Sequence, residues 1–211
     1  MMFNPSENNL LFIEEKKPVP KTCFTWGGVH YKTFDDNVFS FDSGCSHILV
    51  QEAQNRLFTV TVNNSPTCKN QDCFRIIKIF IQDKEYILLR NKDGVPEFRT
   101  RKHQLPIPAQ LSALRAEMSA HFIVITLDSL GIQLKWDGAL MLQVEALENM
   151  WNKTTGLCGN MNDDKSDDLI TKNGEHTKSI ASFATSWRTE NIGGIIFLLY
   201  SQRYIFLVIN I

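Results

Sequence analysis

The sequence predicts a mainly β domain, built as an antiparallel sandwich or barrel, and three observations support this prediction. Short runs of apolar or alternating residues recur from Cys23 to about Val144. Turn-forming residues separate these runs, and Asp93-Gly94 and Asp137-Gly138 are hairpin signals. The runs also follow one another at close spacing, which is typical of antiparallel strands joined by tight turns.

Eight segments have the apolar or alternating pattern of a strand. In chain order they are Phe39–Phe41, His47–Val50, Leu57–Val62, Phe74–Ile81, Tyr86–Leu89, Phe122–Leu127, Ile132–Trp136 and Leu140–Val144. Two further segments are predicted to be short helical pieces. Gln110–Met118 would form one or two turns, and Lys178–Trp187 would form a short helix that closes the domain.

The two ends of the chain differ from this pattern. Residues 1–22 are polar and contain prolines, which predicts a linker or N-terminal extension before a domain over residues 23–188. They contain neither the basic nor the apolar part of a signal peptide, so we expect a fragment of a longer secreted protein. Residues 189–211 form a divergent apolar tail that contains Arg203. A membrane helix needs about 20 mostly apolar residues, so we expect a truncated or read-through end rather than a membrane segment.

Charge and cysteine usage narrow the class of protein. The formal net charge is −1 and no basic block is present, which argues against a nucleic-acid partner. The five cysteines are Cys23, Cys45, Cys68, Cys73 and Cys158. No two of them form a Cys-x-x-Cys pair, so their scatter favours disulfides in an oxidising compartment over a zinc site. The odd number leaves one thiol free or paired outside this chain.

Two sequons also indicate the secretory pathway. They begin at Asn63 and Asn152 and predict N-glycosylation. Sequons are common, so each one adds only modest support.

The loop Asn160–Asp168 predicts a calcium site. It holds six Asn or Asp side chains in nine residues, directly after Gly156-Leu157-Cys158-Gly159. Ca²⁺ takes about 6–8 oxygen ligands, although a polar surface turn would have a similar composition. The loop is not an EF-hand, because Lys165 and Thr171 occupy the sixth and twelfth places. A residue distant in sequence would therefore have to complete the site.

Catalysis is not predicted. The five histidines are His30, His47, His103, His121 and His176. None lies in a His-Glu-x-x-His motif, and the chain has no Gly-x-Ser-x-Gly motif. We therefore expect no enzyme activity and no small-molecule substrate.

Several motifs recur in an order that resembles one family. They are Cys23-Phe24-Thr25-Trp26-Gly27-Gly28, Thr33-Phe34-Asp35, Phe41-Asp42-Ser43-Gly44-Cys45, Trp136-Asp137-Gly138, Gly156-Leu157-Cys158-Gly159-Asn160 and Phe183-Ala184-Thr185-Ser186-Trp187. This order resembles the von Willebrand factor type D domain of von Willebrand factor, gel-forming mucins, zonadhesin and insect hemolectin-like proteins. The resemblance implies an antiparallel β-sandwich with a calcium-binding loop.

The resemblance also implies the ligands of the calcium. These are Asp35, Asn160, Asn162, Asp167 and Asp168, with the early Asp35 completing a site that the late loop begins. We expect Asp36 to be a turn residue with its side chain in water. Asp163 and Asp164 are likewise expected to face solvent.

Disulfide pairing follows from the same resemblance. It implies the pairs Cys23–Cys158 and Cys68–Cys73. Cys45 stays unpaired, because no cysteine follows Trp187 as the family pattern would require. Two departures remove chemistry that some members have. Thr155 replaces the first cysteine of a Cys-Gly-Leu-Cys motif, and Gly27-Gly28-Val29-His30 replaces the Gly-Asp-Pro-His self-cleavage motif.

The resulting expectation is a calcium-stabilised, disulfide-bonded module of a secreted glycoprotein that is adhesive, clotting (hemolectin-like) or gel-forming (mucin-like). Its partners would be other modules of the same or a similar extracellular protein. The alternative is a module of a lipid-transport or vitellogenin-like protein, because those proteins also carry a type D domain.

Overall fold

Two antiparallel sheets make up the fold. The computed structural model describes residues 19–64 and 73–189. The strands are β1 (Lys21–Trp26), β2 (His30–Lys32), β3 (Val38–Ser40), β4 (His47–Glu52), β5 (Phe58–Asn64), β6 (Arg75–Ile81), β7 (Lys84–Arg90), β8 (Pro96–Thr100), β9 (Ala109–Gln110), β10 (Arg115–Ser119), β11 (Phe122–Leu127), β12 (Ile132–Trp136), β13 (Leu142–Ala146) and β14 (Thr154–Thr155). One helix, α1 (Ile180–Ser186), and 3₁₀ turns at Asp128–Leu130 and Glu148–Met150 complete these elements.

The strand order confirms the antiparallel β prediction and favours the sandwich over the barrel. One sheet has eight strands in the order β3-β2-β1-β13-β12-β11-β10-β9. The other has six strands in the order β14-β4-β5-β6-β7-β8. Both sheets contribute side chains to one apolar core.

Alternation along the strands explains how this core forms. In β6, Ile77, Ile79 and Ile81 are buried, whereas the residues between them are half-buried on the other face. In β12, Trp136 is fully buried and its indole Nε1 donates a hydrogen bond to the Ala139 carbonyl at 3.0 Å. Each fully buried large apolar side chain contributes about 1.5–3 kcal/mol, so period-two patterning is the main determinant of the sandwich.

Strand β4 differs, because all six of its residues are buried. Leu157 and Cys158 bond to its backbone: Leu157 N donates to Ile48 O, and Cys158 N donates to Leu49 O at 2.9 Å. After α1, the Trp187 carbonyl accepts from Ile48 N at 2.9 Å. These bonds anchor both ends of the segment that contains the acidic loop.

One secondary-structure prediction is confirmed and one is wrong. The helix over Lys178–Trp187 is present as α1, with the Ser179 hydroxyl capping Ser182 N. The helical piece over Gln110–Met118 is wrong. That segment instead turns and enters β10, where Ala116 pairs with Ile125 of β11. Tertiary pairing with β11 outweighs the weak local preference for helix.

No helix in the described ranges is long and apolar enough to span a bilayer. The apolar tail from residue 190 onward lies outside the described residues, as do residues 1–18.

Candidate metal centre

A buried disulfide joins the first long strand to the start of the acidic loop. Cys23 of β1 and Cys158 are bonded across a sequence separation of 135 residues. Both are almost fully buried. This is the pairing that the family resemblance implies, and it holds the loop against the turn that follows β2.

Asp35 lies in that turn and organises the loop. Its side chain is buried, and Phe34 N donates to the Cys158 carbonyl at 3.0 Å. The two carboxylate oxygens of Asp35 accept hydrogen bonds from Asn162 N and Asp163 N, each at 2.9 Å. Asp35 therefore satisfies backbone donors at the point where the loop turns.

Asp168 is the most perturbed carboxylate in the site. It is 2% exposed, and its Oδ2 accepts a hydrogen bond from the Thr33 hydroxyl at 2.6 Å. Burial raises the pKa of Asp168 to about 7, and the nearby charges of Asp35 and Asp167 act in the same direction. The hydrogen bond from Thr33 acts in the opposite direction. An ionised Asp168 is thus costly unless a cation compensates it.

Three oxygens of the loop are buried and have no hydrogen-bond partner among the described residues. They are Oδ1 of Asn160, Oδ1 of Asp167 and Oδ1 of Asp168. Buried polar atoms in folded proteins are almost always partnered, because desolvation without a replacement bond is costly. Amide and carboxylate oxygens that lack hydrogen-bond donors are suitable ligands for a hard cation. In chemical type, this set of donor atoms therefore fits a calcium ion.

Gly159 makes room for this arrangement. Its φ is +78°, and a Cβ at this position would lie 2.0 Å from Asp168 Oδ1. Its carbonyl accepts from the buried Thr154 hydroxyl at 3.0 Å. The glycine is required here for both its backbone conformation and its lack of a side chain.

The five predicted ligands divide into two groups. Asn160, Asp167 and Asp168 each have a buried, unpartnered oxygen. The Asp35 carboxylate instead accepts hydrogen bonds from backbone N–H groups. The Asn162 side chain forms hydrogen bonds within the loop, donating to Asp167 Oδ2 and accepting from Asp164 N. Over residues 19–64 and 73–189, no group of three or more His, Cys, Asp and Glu side chains is arranged to hold a metal. A cation here would need the Asn160 amide and other neutral oxygens besides two carboxylates.

The remaining acidic residues behave as the sequence predicts. Asp163 and Asp164 are exposed, and Asp36 lies in a turn with its side chain 60% exposed. The Asp163 carboxylate contacts the Lys21 ammonium, which also lies 3.7 Å from Asp35 Oδ1.

Sequence reasoning missed two contributors. Thr33 bonds Asp168, and a signal for it existed, because Thr33 begins the Thr33-Phe34-Asp35 motif. Lys21 had no such signal and fell inside the predicted linker, yet β1 begins at this residue. Its hydrogen bond with Asp163 raises the pKa of Lys21, so the site carries a permanent positive charge at its rim.

The other cysteines and the sequons lie away from this site. Cys45 is half-buried and is a free thiol among the described residues. Cys73 is disulfide-bonded, and its predicted partner Cys68 lies outside the described residues. Asn152 is exposed, whereas Asn63 is half-buried in β5 and its Oδ1 is buried.

Comparison with known proteins agrees with this architecture. A family model described as von Willebrand factor type D domain matches residues 23–175. Human otogelin-like protein is 33% identical over 172 residues, which is 80% of this chain and 7% of that protein. Mouse mucin-19 is 31% identical over 173 residues, covering 80% of this chain and 2% of that protein. Chicken SCO-spondin is 31% identical over 169 residues, which is 79% of this chain and 3% of that protein. The chain thus spans a small part of these relatives.

Proposed function

Because the chain belongs to the von Willebrand factor type D domain family, we propose that it is a calcium-stabilised module of a secreted adhesive, clotting or gel-forming glycoprotein. It acts by binding and assembly with other modules of the same or a similar extracellular protein. Relatives named as mucins and otogelin-like proteins support this class over the lipid-transport alternative. The module has no catalytic role in this proposal.

The observation that supports calcium best is the set of three buried, unpartnered oxygens on Asn160, Asp167 and Asp168. Without a cation, these oxygens have lost water and gained no donor, and Asp35, Asp167 and Asp168 repel one another. Bound calcium would supply the missing positive charge. The protein's own contribution is to hold the oxygens in place, through the disulfide at Cys158 and the Thr33 hydroxyl.

Such a site would link distant parts of the chain. Thr33 and Asp35 follow β2, whereas their loop partners come about 130 residues later, with separations of 127 to 135 residues. A ligand that binds only the folded chain stabilises it by mass action, by about 2.7 kcal/mol at a concentration 100-fold above Kd. Calcium would therefore act as a second cross-link beside the disulfide.

Thermal unfolding with calcium, with magnesium and with a chelator tests this proposal. Asp167→Asn removes one proposed ligand charge, and Asp164→Asn makes the same charge change in the same loop at an exposed side chain. We expect calcium to raise the Tm of the wild type and of Asp164→Asn, and to have a much smaller effect on Asp167→Asn. A wild-type Tm that is the same in calcium and in chelator would show the proposal to be wrong.

Glycosylation belongs to the same proposal, and the structure favours one of the two sequons as the acceptor. Asn152 is exposed, whereas Asn63 lies in a strand with its side-chain oxygen buried. We expect Asn152→Gln, but not Asn63→Gln, to remove an enzyme-sensitive mass shift from protein secreted by eukaryotic cells. The opposite pattern would contradict the assignment.

A further inference from the structure

A cavity of about 310 Å³ lies at the edge of the six-stranded sheet and shares no residue with the acidic loop. Residues 83–86 of the β6–β7 turn and β7, and residues 100–103 at the end of β8, line it. Tyr86 pairs with Thr100 in the β7–β8 register, which brings the two lining segments side by side.

A tight turn presents basic residues at the rim of this cavity. Thr100 N donates to the His103 carbonyl at 2.9 Å, and the Thr100 hydroxyl accepts from Lys102 N and His103 N. The turn therefore holds Arg101, Lys102 and His103 in a defined arrangement, and all three are exposed. Lys84 also lines the cavity and is exposed, and its ammonium donates to the Ser112 hydroxyl at 3.2 Å.

In this region the Glu85 carboxylate is buried, whereas the basic side chains around it are exposed. The Glu85 carboxylate is 5% exposed and lies 3.2 Å from Lys78 Nζ, with Arg101 as its second cation. The side chains of Lys78 and Arg101 are 44% and 60% exposed. The negative charge is thus covered by the cations that it holds, and the outer surface is positive.

Counting the whole region gives the same sign. The strands and turns that line or adjoin the cavity contain five cations, Lys78, Lys84, Arg99, Arg101 and Lys102, and three acids, Asp83, Glu85 and Glu97. Of these acids, Asp83 is exposed on the rim, whereas the Glu97 carboxylate is 12% exposed beside Arg99. A chain of net charge −1 therefore has a local excess of positive charge at this cavity.

The apolar surface open to a ligand comes from the stems of the basic side chains. Tyr86 also lines the cavity but is only 4% exposed, because its ring packs in the core against Phe98 at a centroid distance of 5.8 Å. The aliphatic stems of Lys84 and Arg101 border the same space, and such stems can cover apolar surface while their charged ends stay in water. The volume is at the lower end of ligand pockets, about 300–1,000 Å³, and suits one sugar ring.

We infer that this cavity binds a sulfated sugar residue of an extracellular glycan. The C–H face of the ring would lie against the aliphatic stems of Lys84 and Arg101, and the sulfate would accept charge-assisted hydrogen bonds from the basic rim. The choice of a glycan depends on the extracellular function proposed above. The binding step itself does not use the calcium site.

Binding of the full chain to an immobilised heparin-derived oligosaccharide tests this inference. The variant Lys84→Glu/Lys102→Glu reverses two rim charges and leaves the Glu85 pairs intact. The matched control, Lys172→Glu/Lys178→Glu, makes the same change in net charge at two exposed lysines that do not line the cavity. Each phosphate-type contact with a polyanion changes affinity several-fold at low salt, so we expect about a tenfold loss for the rim variant and little loss for the control.

Two further arms identify the ligand chemistry. Chemically desulfated heparin should bind at least about tenfold more weakly than heparin, because the charge-assisted bonds go to sulfate. A single-stranded oligonucleotide of equal charge should also bind more weakly. Equal binding of either probe would overturn the assignment to a sulfated sugar, and equal loss in both lysine variants would overturn the assignment to this cavity.

The outcome is separable from the calcium proposal. All variants are first checked for a wild-type calcium-dependent Tm, since none of the four lysines lies in the acidic loop. Absence of heparin binding with a normal calcium response would overturn only this inference. Heparin binding without a calcium response would overturn only the proposed metal site.

Discussion

Replacing Asp168 by Asn should lower stability in calcium and raise it in chelator, relative to wild type. The folded chain raises the pKa of Asp168 from 3.8 to about 7, mainly because the carboxyl is buried. Each pKa unit corresponds to about 1.4 kcal/mol, so keeping Asp168 ionised near pH 7 without a cation costs about 4 kcal/mol. Asn has nearly the same shape and no charge, and it can still accept the Thr33 hydrogen bond. In chelator at pH 7, we therefore expect Asp168→Asn to be more stable than wild type.

The sign of the pH dependence follows from the same shift. Because the folded-state pKa lies above the unfolded value, the folded chain binds more protons between pH 3.8 and about 7. The free energy of unfolding of the metal-free wild type should fall, through this group, as the pH rises across that window. Asp168→Asn should lack this component. Saturating calcium should suppress it in the wild type, because a bound cation favours the ionised carboxylate.

Chemical denaturation at pH 5 and pH 7, in calcium and in chelator, measures all four conditions. Asp36→Asn is the control, because this carboxylate is 60% exposed beside Lys32 and surface pairs contribute about 0–1 kcal/mol. We expect wild type to be the more stable protein in calcium and Asp168→Asn the more stable one in chelator. If Asp168→Asn is destabilised equally in both media, the carboxylate is not costly when metal-free, and the reasoning is refuted.

Three other changes test the structure around the loop. Gly159→Ala should destabilise the fold by at least about 2 kcal/mol more than Gly94→Ala. Both glycines have φ near +78°, but a Cβ at Gly94 meets nothing within 4 Å. A similar loss in denaturation midpoint for the two variants would contradict the clash with Asp168. Replacing Cys23 and Cys158 together by Ser should cost about 5 kcal/mol in the chain-entropy model for their separation of 135 residues, and an unchanged urea midpoint would argue against that bond in solution. The free thiol of Cys45 should form disulfide-linked dimers on non-reducing gels, which Cys45→Ser abolishes; dimers that persist in this variant would have to come from another cysteine.

Local sequence patterns predicted most of the fold. Alternation in Ile132–Trp136 identifies a strand, because period-two burial is encoded within that segment. In Leu57–Val62 the same pattern identifies β5, although Thr61 is buried as well as its apolar neighbours. The pattern failed at Gln110–Met118, where pairing with β11 outweighs the local preference for helix. Pattern also left the choice between sandwich and barrel open, because that choice depends on which strands meet.

The candidate site was predicted in its residues more than in its contacts. The density of Asn and Asp in residues 160–168 is visible in the sequence, since a hard cation needs many oxygens close together. Which oxygens are partnered is not visible there. Asp35 accepts hydrogen bonds from two backbone N–H groups of the loop, and the Asn162 side-chain oxygen accepts one from Asp164 N.

The sequence by itself thus determines the turns, the strand alternation and the supply of oxygen ligands, because each depends on residues that are neighbours in the chain. Tertiary structure alone determines three other features: the unpartnered oxygen of Asp168, the contact of Lys21 with Asp163, and the basic cavity between residues 83–86 and 100–103. Each of these joins groups from separate strands or from opposite ends of the domain. Burial, pKa and local charge depend on distances in space, and those distances exist only after the two sheets have packed.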